Sequence, residues 1–292
     1  ALALGDEFPS VDEAVCIGDA PSAASYLNVP NLLAAAMSRG AQAIHPGYGF
    51  LSENAGFAQK VIDAGAQFIG PSPKWIDAMG HKTRARDLAA QYGMPMSQGS
   101  EVLPDDNDVI IAAARKIGFP VLVKPAGGGG GIGMLPAKDE VELLTAVERS
   151  RSMASRGFGT TEVYLEKLIE RPRHVEFQIL GDRHGDAMHL FERDCSTQRR
   201  NQKVIEEAPG PLIPRDKAVA VADQIAGIMR TMGYDNIGTV EMLLGADGSF
   251  NFLEMNTRLQ VEHGVTEEVT GVDLVRAQIR SAAGEKLGNI LP

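Results

Sequence analysis

The stretch TVEMLLGADGSFNFLEMN, residues 239–256, reads as a β-hairpin: two apolar-rich runs meet at Asp247–Gly248, a pair suited to a tight turn. Residues two apart on a strand share a face, so Glu254 and Asn256 point the same way. A four-residue turn at 246–249 sets Glu241 directly opposite Glu254. Two carboxylates facing each other on neighbouring strands repel, and a divalent cation between them reverses that penalty. Two carboxylates and an amide make an all-oxygen set suited to Mg²⁺ or Mn²⁺. Glu241, Glu254 and Asn256 are therefore the candidate metal ligands. The same repulsion predicts that neutralising either carboxylate leaves the metal-free fold intact or slightly more stable. The competing reading is a solvated polar face. Phe250, Phe252, Leu253 and Met255 argue against full exposure on either side.

Working outward, NTRLQVEH (256–263) continues the alternation with Arg258, Gln260 and Glu262. In an extended segment these three extend the face of Glu254 and Asn256. A guanidinium, an amide and a carboxylate beyond a metal site suit a small planar anion and removal of its proton; a salt-bridged surface strand is the alternative. Upstream, VLVKPAGGGGGIGM (121–134) delivers Lys124 on a strand and then five glycines, Gly127–Gly131. Glycines let backbone N–H groups converge on an anion, so polyphosphate is the expected ligand and Lys124 its countercharge. A flexible surface loop is the alternative. The run lacks the GK[ST] ending of a P-loop, and a turn around Pro136 is expected after it. Its flexibility suggests a lid. In ERDCSTQRRNQKVIEEAP (192–209), Arg199, Arg200 and Lys203 read alone as a solvated basic turn balanced by Glu206 and Glu207. Beside a metal and phosphate site they become an anion clamp.

The rest of the chain supplies the frame. Residues 25–75 alternate helical stripes with short strands, at 41–45 and 67–73, which means a parallel sheet. An amphipathic helix is expected from Asp105 to Ile117, strands over 121–124, 163–169 and 174–180, and a helix through Val221, Ile225, Met229 and Met232 ending at Gly233. The picture is α/β for about the first 75 residues, then α+β. At 292 residues the length suits about two domains. The net charge of −10 argues against a sequence-independent nucleic-acid binder. No apolar run approaches the ~20 residues of a membrane span. Two cysteines, with no HxxxH or HExxH, leave no zinc site and suit a reducing compartment, the cytoplasm. The opening ALALGDEFPS is no signal peptide; it lacks Met and reads as mid-domain, so a fragment is expected.

Six blocks together resemble biotin carboxylase, an ATP-grasp enzyme: HPGYGFLSENA (45–55), GHKTRARDLA (80–89), KPAGGGGGIGM (124–134), EKLIERPRHVEFQ (166–178), ERDCSTQRRNQKVIEEAP (192–209) and EMNTRLQVEH (254–263). They follow the family's order and spacing over nearly all of the chain. The resemblance implies a partial Rossmann-like (pre-ATP-grasp) N-terminal domain over 1–78, an ATP-grasp domain over 79–270 with a mobile lid at about 96–168, and over 271–292 the start of a C-terminal region whose lobe is absent from this chain. It implies that Lys82, Lys124, Gly128, Gly129, Gly130, Gly131, His174, Gln198 and Asn201 contact ATP phosphates or ribose. Glu166, Lys167 and Ile169 would hold the adenine edge; Glu241, Glu254 and Asn256 would bind Mg²⁺ or Mn²⁺. Lys203, Arg258, Gln260, Val261 and Glu262 would surround bicarbonate, with Glu262, Arg258 and Lys203 catalytic.

The implied reaction starts when Glu262 deprotonates bicarbonate, which attacks the ATP γ-phosphate to give carboxyphosphate. That species yields CO₂, which carboxylates biotin. No MKM motif is present, so biotin would arrive on a biotin carboxyl carrier protein or domain and pass to a carboxyltransferase; a homodimer is a further implied partner. Ile132, Asn201 and Gly264 depart from the family's usual Arg or Lys, His and Pro, and resemble the urea-carboxylase-like branch. Another ATP-grasp carboxylate ligase, or a nucleotide-binding domain without turnover, are the alternatives.

Overall fold

The structure, a computed structural model, describes residues 12–127, 132–200 and 202–291. The expectations placed on Gly128–Gly131 and Asn201 therefore lie outside the described residues. The chain opens with α1 (Val29–Ser38), whose first turn is capped by the Asn28 side chain accepting from the Asn31 N–H. Strands β1 (Ala43–Ile44) and β2 (Gln67–Phe68) pair in parallel around the crossover helix α2 (Ala55–Asp63). This is the expected strand–helix–strand unit. Asn54 caps α2, and Phe57, Ala58 and Val61 pack on Phe68 and Ile76. Helices α3 (Pro73–Gly80) and α4 (Lys82–Gln91) carry the chain onward. Trp75 is a packing residue as expected, and its Nε1 donates to the Gly233 carbonyl at 3.0 Å.

A second unit has its own core. Helices α5 (Asn107–Ile117) and α6 (Glu140–Phe158) cover an antiparallel sheet of β3 (Val121–Pro125), β4 (Leu135–Ala137) and β5 (Val163–Lys167), ordered β4-β3-β5. Val121, Val123, Val163 and Leu165 turn inward onto Ile110, Ala114, Leu143 and Val147. Alternation then places Leu122, Lys124, Tyr164 and Glu166 on the opposite face. The turn expected around Pro136 is instead strand β4. It is an edge strand pairing only with β3, where the missing proline N–H costs no ladder bond.

The third unit is an antiparallel five-stranded sheet ordered β10-β9-β6-β7-β8. Its strands are β6 (Arg173–Gly181), β7 (Ala187–Arg199), β8 (Gln202–Glu207), β9 (Asn236–Leu244) and β10 (Phe250–Asn256). Helix α7 (Arg215–Met232) packs on one face. Ala218, Ala222, Ile225 and Met229 meet Val175, Phe177, Val240 and Met242 there, and Gly233 ends the helix at φ 69°. The segment expected as a basic turn is a two-stranded β7–β8 ribbon.

The hairpin β9–β10 differs from expectation in an informative way. Leu244 pairs with Phe250, so the turn holds five residues rather than four. An odd turn would misplace the carboxylates, but a bulge at Leu253 adds one residue and restores the register, so Glu254 does sit opposite Glu241. Beyond it, residues 257–262 form an irregular loop rather than an extended strand, and lead into α8 (His263–Thr270). Helices α9 (Leu274–Ala282) and α10 (Leu287–Ile290) close the described chain. No described helix is long and apolar enough to cross a membrane.

Candidate active site

The face of the five-stranded sheet away from α7 is charged. Register places Glu254, Glu241, Glu176 and Arg193 in one row across β10, β9, β6 and β7. Neighbouring side chains on such a row stand roughly 5 Å apart, so three adjacent carboxylates need countercharge. Three cations supply it. Lys82 Nζ lies 3.1 Å from Glu254 Oε2. Lys203 from β8 reaches Glu241 Oε1 at 2.9 Å and Glu262 Oε1 at 2.8 Å, and also contacts Glu176 Oε2. Arg193 holds Glu176 Oε1 at 2.6 Å.

Glu241 also accepts from Asn256 Nδ2 at 2.8 Å and Gln260 Nε2 at 3.2 Å, and faces His174 Nε2 at 2.8 Å. Burial raises its pKa, but His174 and Lys203 outweigh burial, so the carboxyl stays well below the usual range. For Lys203, burial works against the charge, yet the carboxylates of Glu176 and Glu241 hold the ammonium well above the ordinary lysine value. Glu262 shows the same contest: burial opposes the carboxylate, Lys203 overcomes it, and the pKa falls. Arg258 is not among the groups that lower it. Arg258 instead pairs with Glu53 Oε2 at 2.8 Å, because loop 257–262 turns it toward the N-terminal part of the chain.

Over this charged floor lies a cavity of about 970 Å³. The polar end is lined by Lys82, His174, Gln198, Lys203, Glu241, Glu254, Asn256, Arg258, Gln260, Val261 and Glu262, and the other by Lys124, Glu166, Lys167 and Ile169 with Leu122, Met134 and Leu243. The residues that the resemblance assigns to ATP, metal and bicarbonate, where the structure describes them, therefore border one cavity. Of the three basic residues at 199–203, only Lys203 turns in; Arg199 and Arg200 stay exposed at the end of the ribbon. The expected three-charge clamp is thus one lysine.

At the apolar end, the Glu166 carboxylate meets Lys124 Nζ at 2.9 Å and Arg86 Nη1 at 3.0 Å, all three side chains being largely buried. Burial lowers the Lys124 pKa and Glu166 partly offsets that. Lys167 Nζ donates to the carbonyls of Gly118 and Phe119 at 2.9 Å. Two of the three residues that the resemblance assigns to the adenine edge, Glu166 and Lys167, thus have side chains engaged within the protein.

The two carboxylates fit a divalent ion. They are adjacent, oxygen-bearing, and charge-compensated by Lys82 on Glu254 and Lys203 on Glu241, compensation that a metal between them would share. Asn256 needs a rotation, because its Nδ2 faces Glu241 and its Oδ1 faces Arg258 Nη2 at 3.4 Å.

Sequence reasoning missed Glu176, Arg193, Arg86 and Glu53. A signal for Glu176 was present: His174, Glu176 and Gln178 alternate with Val175, Phe177 and Ile179, so β6 has a polar face as regular as its apolar one. Arg193 and Glu53 carry no comparable pattern.

Comparison with known proteins gives the family. The chain belongs to the family described as "Carbamoyl-phosphate synthase L chain, ATP binding domain", matched over residues 81–290. "Biotin carboxylase, N-terminal domain" matches residues 7–76, and together the two place the chain among the biotin carboxylases with their ATP-grasp fold. Chloroplastic biotin carboxylase of Arabidopsis thaliana is 50% identical over 276 residues, 94% of this chain and 51% of that protein. Biotin carboxylase of Pseudomonas aeruginosa is 50% identical over 277 residues, 94% of this chain and 62% of that protein. Among solved structures, a Campylobacter jejuni biotin carboxylase complex with β,γ-ATP superposes with a TM-score of 0.90 at 40% identity, covering 98% of this chain and 65% of that one. The biotin carboxylase domain dimer of Hydrogenobacter thermophilus 2-oxoglutarate carboxylase, in complex with MgADP, ADP and bicarbonate, gives 0.87 at 44% identity, covering 96% of this chain and 62% of that one. The chain thus spans about half to two-thirds of the length of these relatives.

Proposed function

We propose that this chain forms the ATP- and bicarbonate-binding part of a biotin carboxylase, which carboxylates biotin through carboxyphosphate in the first half-reaction of a biotin-dependent carboxylase. The observation that carries the reading is the Lys203–Glu262 contact at one end of a cavity whose floor also holds the Glu241–Glu254 pair. One end supplies an ionised base beside a cation; the rest has the size and lining for a nucleotide. ATP lies along the cavity with its base over Leu122, Ile169 and Leu243 and its phosphates toward Lys82, Lys124 and His174. Glu241, Glu254 and Asn256 would hold Mg²⁺ or Mn²⁺, which when bound would neutralise charge on the transferring phosphoryl group.

Bicarbonate enters at the Lys203 ammonium, with Gln260 and Arg258 beside it. An anion there competes with Glu262 for Lys203. The Glu262 carboxyl, held low by that lysine, then rises toward the range where a carboxylate works as a base. It accepts the bicarbonate proton, and the resulting dianion attacks the γ-phosphate, forming the O–P bond of carboxyphosphate as the bond from the γ-phosphorus to ADP breaks. The unit of α5, α6 and β3–β5 acts as the lid, roughly residues 96–168, that keeps water from carboxyphosphate. Biotin reaches the site on a carrier protein or domain and leaves to a carboxyltransferase; a homodimer and a cytoplasmic setting belong to the same reading, as does the domain division at 78/79 and 270/271. The test is ATP hydrolysis by the whole protein as a function of bicarbonate, with and without free biotin. Bicarbonate-dependent turnover stimulated by biotin is expected, and ATP consumption indifferent to bicarbonate would overturn the reading.

A further inference from the structure

Arg193 stands at the end of the charged row, fully buried, and forms no part of the cavity wall. Its guanidinium donates from Nε to Glu176 Oε1 at 2.6 Å, from Nη1 to Gln178 Oε1 at 2.9 Å and Thr266 Oγ1 at 2.7 Å, and from Nη2 to Gln260 Oε1 at 3.2 Å. All four acceptors are themselves buried. A buried ion pair of this kind is seldom more stable than well-packed apolar residues in its place, so stability alone gives little reason for it. Its geometry gives another. Arginine offers only donors, so the end of the Gln260 amide facing it must be the oxygen. That turns Gln260 Nε2 toward Glu241 Oε1, at 3.2 Å, and toward the cavity. On its other side Arg193 fixes one oxygen of Glu176, leaving the second for the Lys203 ammonium.

We propose that Arg193 is a positioning residue for the oxyanion pocket: through Gln260 it presents an N–H donor, and through Glu176 it seats Lys203, so that both converge on the anion. This rests on the bicarbonate reading above. Because Arg193 also joins β7 to Thr266 of α8, it ties the loop bearing Gln260 and Glu262 to the sheet bearing Lys203.

The test is Arg193→Lys in the whole protein, read by bicarbonate-dependent ATP hydrolysis, MgADP binding and thermal unfolding. Lysine keeps the charge and can hold Glu176, but one ammonium cannot span the other three acceptors. The expected result is a bicarbonate KM raised at least tenfold with MgADP affinity within twofold of wild type. A lowered active fraction with unchanged bicarbonate KM means that Arg193 only supports the fold, and overturns the proposal. Should Arg193→Lys fail to fold, Thr266→Val removes one acceptor at nearly constant shape; a threefold or larger rise in bicarbonate KM is expected, and an unchanged value overturns the proposal equally. Wild-type protein that hydrolyses ATP without regard to bicarbonate marks failure of the underlying functional reading instead.

Discussion

Lys203 faces three carboxylates, and the two that line the cavity have different duties. Glu262 meets it through Oε1 at 2.8 Å, from a loop that no strand pairing fixes. Glu262→Gln preserves size and a hydrogen-bond acceptor for Lys203 but cannot take a proton. Bicarbonate-dependent turnover should fall by roughly 10²–10⁴-fold, the usual range for loss of a general base, while MgADP affinity measured by calorimetry stays within about twofold. Near-normal turnover would leave Glu262 as no more than a partner for Lys203. Glu241 is the more firmly built of the two. Carboxylate repulsion alone predicts that neutralising it helps the metal-free fold, but four donors converge on it, and two of them, His174 and Lys203, depress its pKa against the effect of burial. Glu241→Gln should therefore destabilise the metal-free protein, by about 1–3 kcal/mol at pH 7, since it leaves buried donors unmatched. The sign in pH follows from the depressed folded pKa. The contribution is complete above the ordinary glutamate value near pH 4.3 and is lost as pH falls through the lower folded value. Urea unfolding should show the wild-type advantage narrowing only in acid. A variant as stable as wild type at pH 7 would restore the repulsion argument.

At the scale of elements, the sheet that carries the site is two-faced, and that property was only half legible. The apolar alternation of Val175, Phe177 and Ile179 predicts β6 and its packing on α7, and the hairpin rule predicts β9–β10. Pairing Glu241 with Glu254 was right for a different reason from the one available in sequence, because a five-residue turn and a bulge at Leu253 compensate each other. A bulge has no sequence signature here. Nor does the loop at 257–262: Arg258, Gln260 and Glu262 alternate like a strand, yet α8 begins immediately after Glu262 and pulls the segment out of register. Lys203 separated from Arg199 and Arg200 only once β7 and β8 paired, since ribbon alternation decides which cation turns inward. The second unit leads to a prediction of its own. Strands β3 and β5 turn Lys124 and Glu166 toward the cavity, and the unit has a separate core under α5 and α6, so the proposed lid would move as a whole. Amide exchange along β3 and β4 should slow at least severalfold when saturating MgADP is added, with α7 unaffected. Equal exchange with and without nucleotide would count against closure.

Across the whole molecule, the first 75 residues are stitched to the last 60 by polar contacts between distant parts of the sequence. The Ser72 N–H donates to Asp235 Oδ1 at 2.8 Å, His45 Nε2 meets Gln278 Oε1 at 3.2 Å, and Glu53 takes the Thr257 N–H at 2.9 Å and Arg258 Nε at 2.8 Å. Glu53 matters most, because it anchors the start of the loop whose other end is Glu262. It is partly exposed, so its direct worth to stability is small. Its worth to the site is geometric. Without it the Thr257 N–H loses its acceptor and the Arg258 guanidinium its carboxylate partner, keeping only its contacts to Leu259 and Asn256, while Lys203, Glu241 and the Lys124 end of the cavity keep all their contacts. Glu53→Ala should then lower bicarbonate-dependent turnover about tenfold, leave MgADP affinity within about twofold and shift the thermal midpoint by no more than a few degrees. Glu53→Asp, one methylene shorter, should recover little, since it cannot reach both donors at once. Turnover equal to wild type in Glu53→Ala would show that the N-terminal unit is docked against the anion site without tuning it.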